Sequence, residues 1–243
     1  MALTTTMETK PKPSSLLFTD AERRGVYRAI YERRDVRSQF LPDPIPDAVL
    51  GRILDAAHHA PSVGFMQPWD FILIRDPQVR RRVLDNFVES NRRAAQIYEA
   101  DRRQLYESLK LQGILDAPLN ICVTCDRKRT TGYGLGKQSI PQMDVYSTVC
   151  SIQNLWLAAR AESLGVGWVS IIDNQFLAQS LGLPEHVIPI AYLCVGYVSE
   201  FPSTPDLERA GWSKRQSLAP LVHFDHWDGR DENRAREMLD AVR

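Results

Sequence analysis

Apolar residues recur at helical spacing in two stretches near the start of the chain. Thr19 and Glu22 form a capping-box pattern, which predicts that the first helix begins there and continues to about Glu32. In residues 47–60, apolar positions repeat every three or four residues and predict a second helix with one apolar face. The proline-rich segment 41–46 between them predicts a link without helical structure.

Four short apolar stretches rich in β-branched residues predict strands of a sheet. Their predicted bounds are residues 71–74, 119–125, 166–172 and about 188–198. Helical patterns lie between them and predict a charged helical stretch with a break, a long apolar helix and a short helix that ends at a glycine. These elements are at 78–115, 144–164 and up to Gly182.

The remaining segments separate the folded part from its ends. Residues 127–143 contain three glycines and several basic residues, which predicts a mobile loop or lid. Residues 1–17 are rich in threonine, lysine and proline and predict a disordered tail. Helices outnumber strands, so we expect a single α+β domain at 18–227, followed by a C-terminal tail at 228–243.

Composition excludes several classes of protein. The 243 residues are 44% apolar and 25% charged, which is ordinary for a globular chain. A net charge of zero argues against a general nucleic-acid binder. No apolar run approaches the roughly 20 residues of a membrane helix, and the N-terminal stretch does not resemble a signal peptide. With four cysteines, a disulfide framework is not expected, so we predict a cytoplasmic protein that binds neither membrane nor nucleic acid.

Three patterns that could indicate metal or phosphate chemistry are better explained by structure. Cys122 and Cys125 have CxxC spacing but lie inside an apolar predicted strand, and no second pair completes a zinc site. His58 and His59 are adjacent on a predicted helix, so they point about 100° apart and cannot easily share a metal. The glycines at 132–136 do not match a phosphate-loop motif. No metal site is therefore expected.

Two segments carry candidate binding chemistry. Arg33, Arg34 and Arg37 form either a solvated charge run or an anion site, because the arginine fork is always charged and suits phosphate. Ser62 and Gln67 can bond a polyol or the edge of a heteroaromatic ring, although the stretch 61–69 also reads as a simple helix-to-strand turn.

Together, R-R-D-V-R at 33–37 and P-S-V-G-F-M-Q-P-W at 61–69 resemble the flavin-binding signatures of the nitroreductase-like family. Residues 144–170 resemble its dimer helix and the strand beneath the flavin, and 214–222 resembles its C-terminal phosphate element. The resemblance covers about residues 18–224 in the family's order. It implies α+β subunits with a central mixed sheet flanked by helices, forming a homodimer with two FMN sites at the subunit interface.

The resemblance also implies how FMN is held. Arg33, Arg37 and Arg215 would bind the phosphate and the ring edge, while Ser62 and Gln67 would bond the ribityl chain or the pyrimidine ring. Leu111 would pack near the flavin from the middle helical segment. The full set of implied flavin contacts is Arg33, Arg34, Asp35, Val36, Arg37, Ser62, Gln67, Leu111, Ser170 and Arg215.

Departures from the usual family pattern point to one branch of it. Asp35 replaces a small residue, Phe65 replaces the common asparagine, and 169–172 differs from the usual tryptophan–isoleucine–glycine pattern. These features resemble the branch that consumes its flavin. That resemblance implies that reduced FMN is the substrate and reacts with O₂. It would be fragmented to erythrose 4-phosphate and 5,6-dimethylbenzimidazole, the lower ligand of cobalamin. A separate flavin reductase would supply the reduced FMN.

Asp35 and Ser170 are the expected catalytic residues. Fragmentation requires a proton to leave the ribityl 2′-hydroxyl, and an ionised carboxylate beside arginines suits a base or an electrostatic role. A plain Asp–Arg ion pair is the other interpretation of Asp35. Ser170 would donate a hydrogen bond near flavin N5. An ordinary buried strand serine is the alternative there.

Two other functions stay open at this point. An NAD(P)H-dependent FMN nitroreductase or flavin reductase would keep its flavin and pass electrons to an external acceptor. A non-catalytic flavin carrier would bind FMN and return it intact.

Overall fold

The computed structural model describes residues 17–129 and 131–240. The chain divides into two compact units, Met1–Ser203 and Thr204–Arg243. The predicted disordered tail lies outside the described residues except for Leu17. The domain boundaries predicted at residues 18 and 227 stay predictions.

The first unit contains helices and strands in the order that the hydrophobic pattern predicts. Its helices are α1 (Asp20–Glu32), α2 (Asp47–His58), α3 (Pro77–Ala95), α4 (Ala100–Ser108), α5 (Met143–Ala161) and α6 (Asn174–Ser180). The capping box is confirmed, since the Glu22 amide donates to the Thr19 hydroxyl and the Thr19 amide donates to the Glu22 carboxylate. The predicted helical stretch 78–115 is wrong beyond Ser108, where the chain leaves the helix.

The long helix and the strand after it meet earlier than predicted. α5 ends at Ala161 rather than at residue 164, and Ser163 turns the chain with a left-handed φ of 64°. The following strand therefore begins at Leu164 and ends at Val169, not at residue 172. That shift leaves Ser170 just outside the sheet.

Four strands form one sheet in the first unit. They are β1 (Trp69–Ile74), β2 (Leu119–Asp126), β3 (Leu164–Val169) and β4 (Val187–Tyr197). Their order is β1-β2-β4-β3, and every neighbouring pair is antiparallel. The expected mixed sheet is therefore wrong for these strands. Parallel pairing occurs at an isolated bridge between Asp35 and Val166, on the outer edge of β3.

Side chains alternate along each strand, so the sheet has apolar residues on both faces. Helices pack against each face. On one face, Leu193 of β4 packs in a cluster with residues of α2 and α5 such as Ile53 and Leu155. On the other face, Tyr192 and Cys122 pack with residues of α3 and α6. The α+β class is confirmed.

The cysteines and helices bear on two functions that the sequence argues against, metal binding and membrane spanning. Cys122 and Cys125 are buried free thiols. In residues 17–129 and 131–240, no three metal-ligating side chains come together. None of the helices in those ranges combines the length and apolarity that a membrane span needs.

The second unit is small and is described by itself. It contains α7 (Asp206–Arg209), a 3-10 turn at Ala219–Leu221 and α8 (Glu232–Asp240), with Ala235 buried. The pattern of the sequence did not predict α8, which lies in the expected tail 228–243.

Candidate functional site

The arginine segment lies directly on the edge strand β3. The Val36 amide donates to the carbonyl of Val166 (3.1 Å), next to the parallel bridge made by Asp35. Gly167 permits this approach, because a Cβ there would collide with the Val36 carbonyl oxygen. The Val36 side chain is fully buried and its amide is already bonded, so a ligand could bond this residue at its carbonyl oxygen. The docking fixes residues 33–37 against the strand that leads to Ser170.

Both carboxylate oxygens of Asp35 accept hydrogen bonds. Oδ1 accepts from the Trp168 amide (2.9 Å), and Oδ2 accepts from Arg37 Nη2 (2.5 Å). An ionised carboxylate suits both bonds, since it is an acceptor at each oxygen. Asp35 thus joins the arginine segment to the end of β3.

The three arginines of the segment have different surroundings. Arg34 donates to the carbonyls of Tyr31 and Arg33 at the end of α1 and to that of Ser203, so it braces the helix end. The Arg33 guanidinium lies over the Trp156 ring, 5.2 Å from its centroid. Arg37 is nine-tenths buried, and its Nε has no hydrogen-bond partner among the described residues. Arg34 Nε likewise has no partner among the described residues, but backbone carbonyls occupy both of its terminal nitrogens. Arg33 and Arg37 therefore have more donor capacity left for an anion than Arg34.

The predicted binding turn brings Ser62 and Gln67 together. The Gln67 amide donates to Ser62 Oγ (3.1 Å), which leaves the serine O–H free to donate. Phe65 and Gln67 both have left-handed φ, at 54° and 48°. Such angles are uncommon outside glycine, and residues held in strained conformations cluster at functional sites. The buried Trp69 holds the end of the turn by donating to His58 Nδ1 (3.1 Å).

Two residues that the sequence analysis did not single out support this turn. Arg129 Nη1 donates to the carbonyls of Gln67 and Trp69 (2.8 and 2.9 Å). Ser147 of α5 accepts from the Val63 amide (3.2 Å). The only sequence signal for Arg129 is its place in the basic segment 127–143.

α5 supports both candidate binding elements from opposite ends. Ser147 holds the turn, and Trp156 donates to the Arg34 carbonyl (3.4 Å). Nine residues separate them, which is about 13–14 Å along a helix axis. The same helix thereby sets the distance between the polar turn and the arginine segment.

Leu111 and Ser170 differ from expectation. Leu111 follows α4 in a segment without a helix, so its assignment to a helical segment is wrong. The segment still reaches the site, because a Cβ on Gly113 would contact the Arg37 carbonyl oxygen and the Phe40 ring. Ser170 is exposed and lines a cavity of about 230 Å³ with Trp168 and Ile172, which rules out a buried strand serine.

Arg215 lies in the second unit. It is exposed, in a segment without helix or strand. Its role at the phosphate stays a prediction.

The nitroreductase family profile matches residues 30–197. Among curated relatives, a 5,6-dimethylbenzimidazole synthase of Rhodospirillum rubrum is 42% identical over 200 residues, covering 82% of this chain and 94% of the relative. One of Rhodobacter capsulatus is 40% identical over 197 residues, covering 81% and 95%. A putative NADH dehydrogenase/NAD(P)H nitroreductase of Methanothermobacter thermautotrophicus is 29% identical, covering 75% and 82%.

Solved structures share the fold. A crystal structure of oxidized iodotyrosine deiodinase bound to FMN and 3-iodo-L-tyrosine superposes with a TM-score of 0.67 at 17% identity, covering 83% of this chain and all of that one. Nitroreductase A of Vibrio parahaemolyticus gives 0.62 at 17% identity, covering 90% and 82%. At this identity the likeness shows the fold alone.

Proposed function

The chain belongs to the nitroreductase family, and we propose that it is a 5,6-dimethylbenzimidazole synthase that consumes reduced FMN and O₂. Its products would be 5,6-dimethylbenzimidazole, the lower ligand of cobalamin, erythrose 4-phosphate, and a third fragment that carries the pyrimidine ring of the flavin. The similarity to relatives of that name carries the proposal, at 42% identity over 94% of one relative's length. The arrangement of Asp35 and Ser170 at the end of β3 supports it.

The donor set fits an FMN molecule. Arg33 and Arg37 would hold the phosphate and ring edge. No ion pair of Arg33 is described, and Arg37, although paired with Asp35, has an Nε without a hydrogen-bond partner. Ser62 and Gln67 would bond the ribityl chain or the pyrimidine ring, and Arg215 would complete the phosphate site. The reduced isoalloxazine ring supplies the electrons for the reaction with oxygen.

The chain's own residues would act on the ribityl group and beside the ring. Asp35 would take the proton of the 2′-hydroxyl, or stabilise charge there, while Arg37 and the Trp168 amide hold its carboxylate in place. Ser170 would donate a hydrogen bond near flavin N5, because its hydroxyl is exposed just beyond the strand.

A homodimer would complete the site. The outer face of α5 exposes Tyr146 and Val149, and α1 has no buried residue while exposing Tyr27 and Tyr31. Apolar helix faces of this kind are usually covered in an assembly. A second copy is the occupant implied by the family. The cytoplasm is the proposed location, since the four cysteines are free thiols, and a separate reductase would supply reduced FMN there.

Mixing the purified protein with chemically reduced FMN and air tests this function. We expect loss of flavin with a stoichiometric benzimidazole product and erythrose 4-phosphate, both resolved by chromatography. Quantitative recovery of oxidised FMN would contradict the synthase and favour a carrier. Rapid NADH or NADPH oxidation with catalytic, undiminished FMN would favour the nitroreductase alternative.

A further inference from the structure

A buried carboxylate lies where the 127–143 segment meets α5. Asp144 is in the first turn of α5 and is 1% exposed. Its Oδ1 accepts from Arg127 Nη1 and from the Val145 amide, both at 2.8 Å, and its Oδ2 forms an ion pair with Lys137 Nζ. A carboxylate this deeply buried needs compensating charge. Both cations come from the 127–143 segment.

The same side chains cross-link the segment to itself. Lys137 Nζ donates to the Arg127 carbonyl (2.7 Å), and Arg127 Nη2 donates to the Pro141 carbonyl (3.2 Å). The start, the middle and the end of the segment are therefore joined around Asp144. We call this group of three side chains, Arg127, Lys137 and Asp144, the Asp144 anchor.

The middle of the segment lies on the candidate flavin-binding turn. A Cβ on Gly64 would come within 2.7 Å of the Leu135 carbonyl oxygen, and a Cβ on Gly136 within 2.5 Å of Val63 Cγ1. The two backbones are thus in direct contact. Tyr133 and Leu135 are 98% and 72% exposed, so their side chains add little packing of their own. Among the described side chains of the segment, those of the Asp144 anchor are therefore the best candidates for holding this part in place.

We propose that Lys137 is a positioning residue, whose ion pair with Asp144 fastens residues 131–137 onto the turn at Val63–Phe65. Fastened there, the segment keeps reduced FMN in the site until fragmentation is complete. The second statement rests on the proposed function, whereas the first concerns the protein alone.

The chain offers a clean variant and a matched control. Lys137→Met removes one cation but leaves Arg127 and the Val145 amide on Asp144, so the buried carboxylate stays paired. Lys128→Met removes the same charge from the same segment, and Lys128 is exposed with no described side-chain contact. Lys137→Arg keeps the charge and should restore the behaviour of the wild type.

Limited proteolysis without flavin tests the fastening. Chymotrypsin cleaves after Tyr133 and Leu135, and its rate follows the population of the opened segment when opening is fast. We expect Lys137→Met to be nicked there at least about tenfold faster than wild type, because it loses the ion pair with Asp144 and the charge-assisted hydrogen bond to the Arg127 carbonyl. Lys128→Met and Lys137→Arg should behave as wild type. Equal rates for Lys137→Met and Lys128→Met would overturn the proposal.

A second measurement tests the link to catalysis. With reduced FMN and air, Lys137→Met should raise KM and return at least about tenfold more of the flavin as intact FMN, while Lys128→Met should not. Wild-type KM and product yield in a variant that is nicked faster would overturn the role in retaining flavin. If wild type itself made no benzimidazole, the proposed function would fail and the proteolysis result would still decide the fastening.

Gly136→Ala provides an independent variant if Lys137→Met does not fold. Its new Cβ would press on Val63 Cγ1, and the left-handed φ of 81° at this position would strain alanine. The side chains of the Asp144 anchor are not altered. Faster cleavage after Tyr133 is expected here as well. An unchanged cleavage rate would count against the contact between residues 131–137 and the turn at Val63–Phe65.

Discussion

The Trp168 amide donates to Asp35 Oδ1 at 2.9 Å, so the carboxylate is tied to β3 two residues before Ser170. One edge strand thereby positions both proposed catalytic residues. Gly167, between the bridge at Val166 and Trp168, lets the arginine segment lie close enough for this bond. The relationship makes separate predictions for binding and for fragmentation.

Asp35→Asn should lower benzimidazole formation by about 10²–10⁴, the usual cost of losing a general base. The amide oxygen can still accept from Trp168, so the segment should stay docked and FMN affinity should stay near wild type. Product yield and flavin affinity are measured side by side at saturating reduced FMN. A wild-type yield would show that Asp35 is a structural partner of Arg37.

Ser170→Gly should lower product formation by about 10²–10³, as is typical for loss of one donor beside developing charge. The residue is exposed beyond β3, so folding should be unaffected. Reduced flavin in this variant should return mainly as intact oxidised FMN. Unchanged yield, with thermal unfolding as the control, would remove Ser170 from the mechanism.

Arg33→Met should weaken FMN binding by about tenfold or more and leave riboflavin binding unchanged, because the arginine would contact the phosphate. Arg34→Met is the informative comparison. It should lower the free energy of unfolding by about 1–3 kcal/mol, since its donors satisfy backbone carbonyls, without changing the preference for FMN over riboflavin. Equal losses of FMN and riboflavin affinity in Arg33→Met would contradict the phosphate assignment.

The buried thiols predict a pH dependence of stability. Burial raises the pKa of Cys122 from 9.0 to about 12, so the folded chain keeps this proton where the unfolded chain loses it. The contribution is complete below pH 9, and the free energy of unfolding falls above it, by about 1 kcal/mol near pH 10. In denaturant titrations at several pH values, Cys122→Val should flatten this fall. The same slope above pH 9 in Cys122→Val and in wild type would refute the assignment.

The elements that the sequence predicts well are those set by local pattern. The capping box at Thr19 and Glu22 is a three-residue interaction, so it can be read directly and is confirmed. The predicted ends of helices and strands are wrong where a single residue changes the direction of the chain. Ser163 has a left-handed φ and follows the end of α5, so the helix ends earlier than apolar periodicity alone indicates.

Long-range contacts could not be predicted in the same way. The arginine pattern does not show that Arg34 braces the end of α1 while Arg37 bonds Asp35, because both depend on tertiary placement. Asp144 looks like a first-turn acidic residue in sequence. Its burial against two cations appears only when the 127–143 segment is folded beside it. The antiparallel pairing, likewise, depends on how the connections direct the strands, which strand composition does not show.

The central claim is that this chain breaks its flavin rather than cycling it. The most direct test is a single aerobic turnover with reduced FMN that carries ¹³C at the ribityl C1′ position, followed by mass and NMR analysis of the products. We expect the label at C2 of 5,6-dimethylbenzimidazole, with unlabelled erythrose 4-phosphate formed in equal amount. Recovery of the label in intact oxidised FMN, with no benzimidazole, would contradict the claim.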